Sequence, residues 1–236
     1  SLTNLNKIMG NNTKRVDIIN DRGIHMCKSM LAYNKFGRNK KPNKKPDHFV
    51  GNFYVLYSKK ENASLEKELS EMLVKWENKD KATRELWNKM NKWSIQGIKQ
   101  TYDRFGVKID KAYYESDHYE KGKEIVKESL KKKIFEKDEE GNVIINLEDK
   151  SLGKKVVLRK DNTSVYVTQD LALADIRFKD YKMDKMIYIV GNEQIYHFKV
   201  LFSILEKLKM KFAKKCYHLA YGMVNLPEGK MKSREG

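Results

Sequence analysis

In the segment Lys185-Met-Ile-Tyr-Ile-Val190 every residue after the lysine is apolar, and Gly191 follows it at once. An apolar run of that length without alternation is the pattern of a buried strand, and a glycine directly after it marks a tight exit from the sheet. From Ile195 to Met210 apolar residues then recur at helical spacing. Strand, glycine turn and helix together are the unit of a parallel α/β sheet. The unit recurs near the start of the chain, where Arg15 to Asn20 reads as a strand, Asp21-Arg-Gly23 as the turn and Ile24 to Asn34 as a helix. The fold class is α/β with repeated strand-to-helix crossovers.

The remaining segments fill in this frame. Leu2, Leu5, Ile8 and Met9 have helical spacing with no cap before them. Residues 37–48, GRNKKPNKKPDH, hold two of the three prolines and nothing apolar to bury, as expected of a domain junction or an exposed phosphate-facing loop. From Phe49 to Arg104 two apolar stripes, Leu65, Leu69, Met72, Leu73 and Trp76, then Leu86, Met90, Trp93, Ile98 and Tyr102, predict charged helices packed on one another. The tryptophans could serve base stacking, but at this spacing they fit a helical core better.

Lys111 to Ser116 predicts a strand, Tyr119 to Lys133 a basic helix, and Ile134 to Leu147 a hairpin turning at Glu140-Gly-Asn142. Lys154 to Arg159 and Ser164 to Thr168 predict a second hairpin across Lys160-Asp-Asn-Thr163. Gln169 to Lys179 then predicts a helix capped by Thr168, and Cys216 to Ala220 a closing strand. The domains expected are residues 1–33 as part of the sheet domain, 34–105 as a helical insertion, and 106–236 as the remainder of the sheet domain.

Lys and Arg number 49 against 32 Asp and Glu, a net charge of +17, whose field attracts polyanions such as nucleic acid, nucleotides or an anionic membrane. Most of that charge is lysine, which meets phosphate as a point charge and lacks the planar fork of arginine. A coding bias toward Lys, Asn and Ile accounts for it equally well. Two cysteines far apart, Cys27 and Cys216, exclude a disulfide scaffold and a zinc knuckle and fit a reduced compartment. No run reaches the length of a membrane span. A cytoplasmic, monomeric protein is expected.

In parallel α/β sheets ligands gather at the carboxyl ends of the strands. Three turns qualify: Asn20-Asp-Arg-Gly23, Tyr166-Val-Thr-Gln-Asp170 and Gly191-Asn-Glu-Gln-Ile-Tyr-His197. In the second, Tyr166 leaves the predicted strand end and Asp170 falls in the first helical turn, where the helix dipole favours its ionised form. A carboxylate beside a phenol suits a cation, and a guanidinium can give it two parallel hydrogen bonds that an ammonium cannot. The same residues also fit an ordinary helix-start acid and a half-buried strand tyrosine. In the third turn Gln194 and His197 share a helix face three residues apart. The chain closes on GKMKSREG, residues 229–236, a basic stretch between glycines that reads as a frayed tail or as a loop meeting a polyphosphate.

INDRGIH at 19–25, VVLRKDNTSVYVTQDLALAD at 156–175, IVGNEQIYHFKVLFSIL at 189–205 and the closing GKMKSREG, in that order, closely resemble arginyl-tRNA synthetases, a family of class I aminoacyl-tRNA synthetases. The resemblance runs over most of the chain and is weakest in the helical block. It implies a Rossmann-like catalytic domain with an inserted connective block, using ATP with Mg²⁺, arginine and tRNA(Arg). The implied reaction forms arginyl-adenylate and transfers the arginyl group to the tRNA. By their match, Tyr166, Asp170 and Gln194 hold the arginine side chain, and Gly191 and His197 lie toward ATP.

The closing stretch matches the mobile KMSKS loop over the ATP phosphates, with Lys230 as its first lysine and Met231 beside it. A lysine brought there on closure stabilises charge developing on the transferring phosphate. Ser233 stands at the second lysine position, so that role is unfilled or falls to Lys232 or to a lysine outside the chain. The HIGH motif and the anticodon-binding domain of the family are not in the chain. The expectation is a piece of the catalytic core that does not aminoacylate by itself. A non-catalytic basic module that binds tRNA or other nucleic acid, or a degenerate paralogue, is the alternative.

Overall fold

The computed structural model describes residues 1–225, Pro227 and Gly229, so Lys230, Met231, Lys232 and Ser233 lie outside the described residues. The chain forms two compact units, Ser1–Tyr114 and Glu115–Gly229.

In the first unit α1 (Leu2–Ile8) precedes β1 (Val16–Ile19), α2 (Ile24–Phe36), α3 (Pro46–Lys60), α4 (Ala63–Glu77), α5 (Lys81–Arg104) and β2 (Lys111–Tyr114). β1 and β2 pair in parallel from Val16↔Lys111 to Ile19↔Tyr114, so the helical block between them returns the chain to the same sheet. Gly23, at φ 95°, makes the turn from β1 into α2, a left-handed conformation that a side chain would strain. The predicted loop over 37–48 is shorter, because Pro46 opens α3, where its fixed φ and missing N–H cost nothing. Asn62 caps α4 through the Leu65 amide and Asp80 caps α5 through the Thr83 amide, and these caps divide the block into separate helices.

The block shares its core with α2, which packs against α3, α4 and α5. Trp76 is 1% exposed and lies edge-on to Trp87, with the Arg84 guanidinium 3.5 Å from its ring centroid. The tryptophans are therefore core. The apolar stripe of α1 instead faces solvent, Ile8 at 82% exposure.

In the second unit α6 (Glu115–Lys131) leads into an antiparallel three-stranded sheet of β3 (Glu136–Lys137), β4 (Val143–Asn146) and β5 (Lys154–Leu158). α7 (Tyr166–Tyr181), β6 (Met186–Gly191), α8 (Ile195–Lys207) and β7 (Cys216–Tyr221) follow, with β6 and β7 parallel from Met186↔Cys216 to Gly191↔Tyr221. Their core joins Val126, Ile145, Val157, Leu171, Leu201, Ile204 and Leu205, all fully buried.

The second predicted hairpin does not form. A single bridge joins Leu158 to Ser164, and the chain enters α7 at Tyr166. Ser164-Val-Tyr-Val-Thr168 has strand propensity, but Val167, Leu171 and Ala174 recur at helical spacing and are all buried, so packing overrides it. Thr168 is not the cap. Val165 stands there without a side-chain bond, while the buried Thr168 hydroxyl donates to the Val157 carbonyl and ties α7 to β5.

α6 and α7 pack closely because of Gly122, where an added Cβ would fall against the Thr168 carbonyl oxygen. Gly122→Ala should lower stability by about 1–3 kcal/mol through overpacking, read as a drop in the denaturant midpoint.

Burial pushes the Cys27 thiol up to about 11, and likewise that of Cys216. Burial, then the hydrogen bond to Asp17, pushes the Tyr102 phenol up to about 12. The unfolded chain ionises these groups first and so binds fewer protons than the fold. The stability they contribute is complete below the ordinary thiol value and is lost as pH rises through about 11 for the thiols and about 12 for the phenol. Urea midpoints should fall between about pH 8 and about pH 10.5.

Candidate active site

α7 and α8 pack together, and their N-terminal turns carry the polar residues singled out above. Val167 and Leu171 fix one face of α7 in the core, which leaves Tyr166 and Asp170, four residues apart, sharing another face. Tyr166 is the first helical residue and is 77% exposed, where a strand end had been predicted. With Val165 as the cap, Asp170 falls in the second turn of α7 and not in the first. The dipole reaches it less strongly there, and the side chain has a direct partner.

That partner is His197. Its Nε2 lies 2.6 Å from Asp170 Oδ2, with both side chains 26% exposed. α8 begins at Ile195, so His197 sits in its first turn, and Val200, Leu201, Ile204 and Leu205 bury the helix behind it. Gly191 ends β6, and a single 3₁₀ turn, Asn192–Gln194, carries an exposed Gln194 to the start of α8. Gln194, expected on one helix face with His197, is instead the N-cap of α8, three residues before it. Asp170 and His197 are brought into contact. Tyr166 and Gln194 lie on the same two helix starts, both open to solvent.

Several residues that hold this arrangement escaped the reading of the sequence. Gln169 donates 2.7 Å to Glu115 at the start of α6, and His218 of β7 pairs with the Val190 carbonyl at 3.0 Å. The His218 ring lies 4.2 Å from that of Phe198, the residue after His197. Tyr188 of β6 packs against Phe198, and burial pushes its phenol well above the ordinary range, with Arg177 opposing the rise and Cys216 and then Asp170 adding to it. Each of these roles depends on a partner distant in sequence. Gly122 alone left a local signal, a glycine within a helical pattern.

The arrangement offers a partly exposed carboxylate with one oxygen engaged by an imidazole. Such a carboxylate can take a planar cation with several N–H donors. Among the described residues no group of three or more His, Cys, Asp or Glu is placed to hold a metal ion. No helix of the described residues is long and apolar enough to cross a membrane.

The family model for class I (R) tRNA synthetase catalytic domains matches residues 1–236. The arginine–tRNA ligase of Treponema denticola is 51% identical over 243 residues, covering all of this chain and 41% of the relative. That of Bacteroides fragilis is 48% identical over 258 residues, covering all of this chain and 43% of the relative. The chain thus spans about two-fifths of the length of these relatives. Among solved structures, the arginyl-tRNA synthetase of Thermus thermophilus superposes with a TM-score of 0.77 at 18% identity over 98% of this chain and 45% of that one. The Plasmodium falciparum enzyme gives 0.75 at 18% identity over 94% and 38%. At that identity the likeness bears on the fold, which is the mixed α/β, Rossmann-type architecture expected.

Proposed function

We propose, from the premise that this chain belongs to the class I (R) tRNA synthetase catalytic-domain family, that it forms part of an enzyme that charges tRNA(Arg) with arginine. The arginine carboxylate attacks the α-phosphorus of ATP, the bond to the β-phosphate oxygen breaks, and pyrophosphate leaves. A hydroxyl of the terminal ribose of the tRNA then attacks the carbonyl carbon of arginyl-adenylate, and AMP leaves. Residues 34–105 are the helical insertion of this catalytic domain.

The observation that carries the proposal is the Asp170 carboxylate, held on one oxygen by His197 and partly exposed at the meeting of two helix starts. A guanidinium satisfies such a group with charge-assisted hydrogen bonds, while lysine offers no planar fork. Tyr166 and Gln194, exposed on the same two turns, complete the contact to the substrate side chain. Gly191 lies on the nucleotide side. Lys230, Met231 and Lys232 meet the phosphates, and Mg²⁺ accompanies ATP. A cytoplasmic location and a monomeric state complete the reading.

The second reading, a non-catalytic basic module, draws on the net charge of +17. It is separated by a thermal melt with added ligand, since only a species bound by the fold raises the melting temperature. The enzyme reading expects stabilisation by arginine. The basic module expects none, together with nucleic-acid binding that falls steeply with salt.

A further inference from the structure

We propose that His197 is a positioning residue that sets the orientation of the Asp170 carboxylate for its cationic ligand. The proposal rests on the arginine reading above for the identity of that ligand. The resemblance in sequence directs His197 toward ATP, and the geometry adds a contact to Asp170.

A carboxylate that receives a planar fork must present both oxygens in the plane of that fork, and an aspartate with no other partner rotates freely about its last torsion. The 2.6 Å contact from His197 Nε2 to Asp170 Oδ2 removes that freedom. At 26% exposure each, neither side chain is buried enough for the contact to be forced by desolvation alone. It arises from the two frames. α7 is seated by Val167, Leu171, Ala174 and Arg177, and α8 by Phe198, Val200, Leu201, Ile204 and Leu205.

The imidazole plane is also constrained. The ring stands edge-on to Phe198 at 81°, and Phe198 is wedged between Tyr188 at 4.9 Å and His218 at 4.2 Å between ring centroids. His218 is engaged with the Val190 carbonyl. One carboxylate oxygen accepts from more than one donor, so His197 on Oδ2 leaves room for a guanidinium across both oxygens.

The test uses this chain with His197→Ala, His197→Gln, Asp170→Asn and the His197→Ala/Asp170→Asn double variant. Arginine and ATP affinities are measured by calorimetry, and the imidazole N–H proton is followed by NMR. His197→Ala should weaken arginine about tenfold and leave ATP unchanged, the scale of one misoriented charged hydrogen bond. His197→Gln, which returns an N–H donor on a chain of similar reach, should recover most of that loss. The double variant should bind arginine no more weakly than Asp170→Asn alone, because the two residues act through one carboxylate.

A loss of ATP affinity with arginine unchanged, or losses that multiply in the double variant, would overturn the proposal. If the unaltered chain binds no arginine, the substrate reading fails, and the NMR signal decides the positioning separately. A hydrogen-bonded His197 N–H that vanishes in Asp170→Asn supports it, and its absence from the unaltered chain overturns it.

Discussion

Asp170→Asn should weaken arginine binding about 100-fold or more, a few kcal/mol on the scale of a charged, hydrogen-bonded pair. The substitution keeps the shape and one carbonyl oxygen. It removes the charge and turns an amide NH₂ toward the guanidinium, so two donors meet where a donor met an acceptor. His197 loses its carboxylate partner at the same time. The Asp170 side chain is 26% exposed, so the fold itself should tolerate the change, and the melting temperature without ligand serves as the control. Calorimetry on both proteins gives the comparison, and an unchanged affinity removes Asp170 from the site.

The second large effect is one of stability. Leu171 follows Asp170 directly, is 0% exposed, and packs in the core with Val126, Val157, Val167 and Leu201. Leu171→Ala removes that side chain and leaves a cavity that helices anchored on both sides cannot fully close, at a cost of about 2–5 kcal/mol. Lys199→Ala, on the exposed face of α8, should stay within about 0.5 kcal/mol. Denaturant titration followed by helix signal reads both. Equal midpoints for the two variants would mean that α7 is not seated as described. Because Asp170 is placed by the start of α7, Leu171→Ala should also weaken arginine at temperatures where the protein remains folded.

The parallel strand-to-helix units were legible from local pattern. The run Lys185–Val190, its closing glycine and the amphipathic stretch Ile195–Met210 correspond to β6, the 3₁₀ turn and α8, which ends at Lys207. Gly23 likewise marked the passage from β1 to α2, because a left-handed turn restricts the residue type at one position. The failure came at Ser164–Thr168, where β-branched residues promise a strand. Local propensity is worth tenths of a kcal/mol per residue, and burial of Val167, Leu171 and Ala174 along one helix face outweighs it.

The candidate site was legible in composition and not in geometry. A carboxylate near a phenol, and a glutamine one turn from a histidine, could be read from spacing along each segment. That Asp170 and His197 touch could not, since they lie 27 residues apart and meet only because α7 and α8 pack. The bonds from Gln169 to Glu115 and from His218 to Val190 are hidden for the same reason. In each case the sequence names the groups, and the packing decides which of them meet.

The carboxylate at these two helix starts is proposed to select a guanidinium. Calorimetric titration of the chain with arginine and then with lysine tests this most directly. The expected result is arginine binding at least about 100-fold tighter than lysine, since lysine leaves acceptor sites of Asp170 unpaired. Equal binding of the two amino acids, or binding of neither, would contradict it.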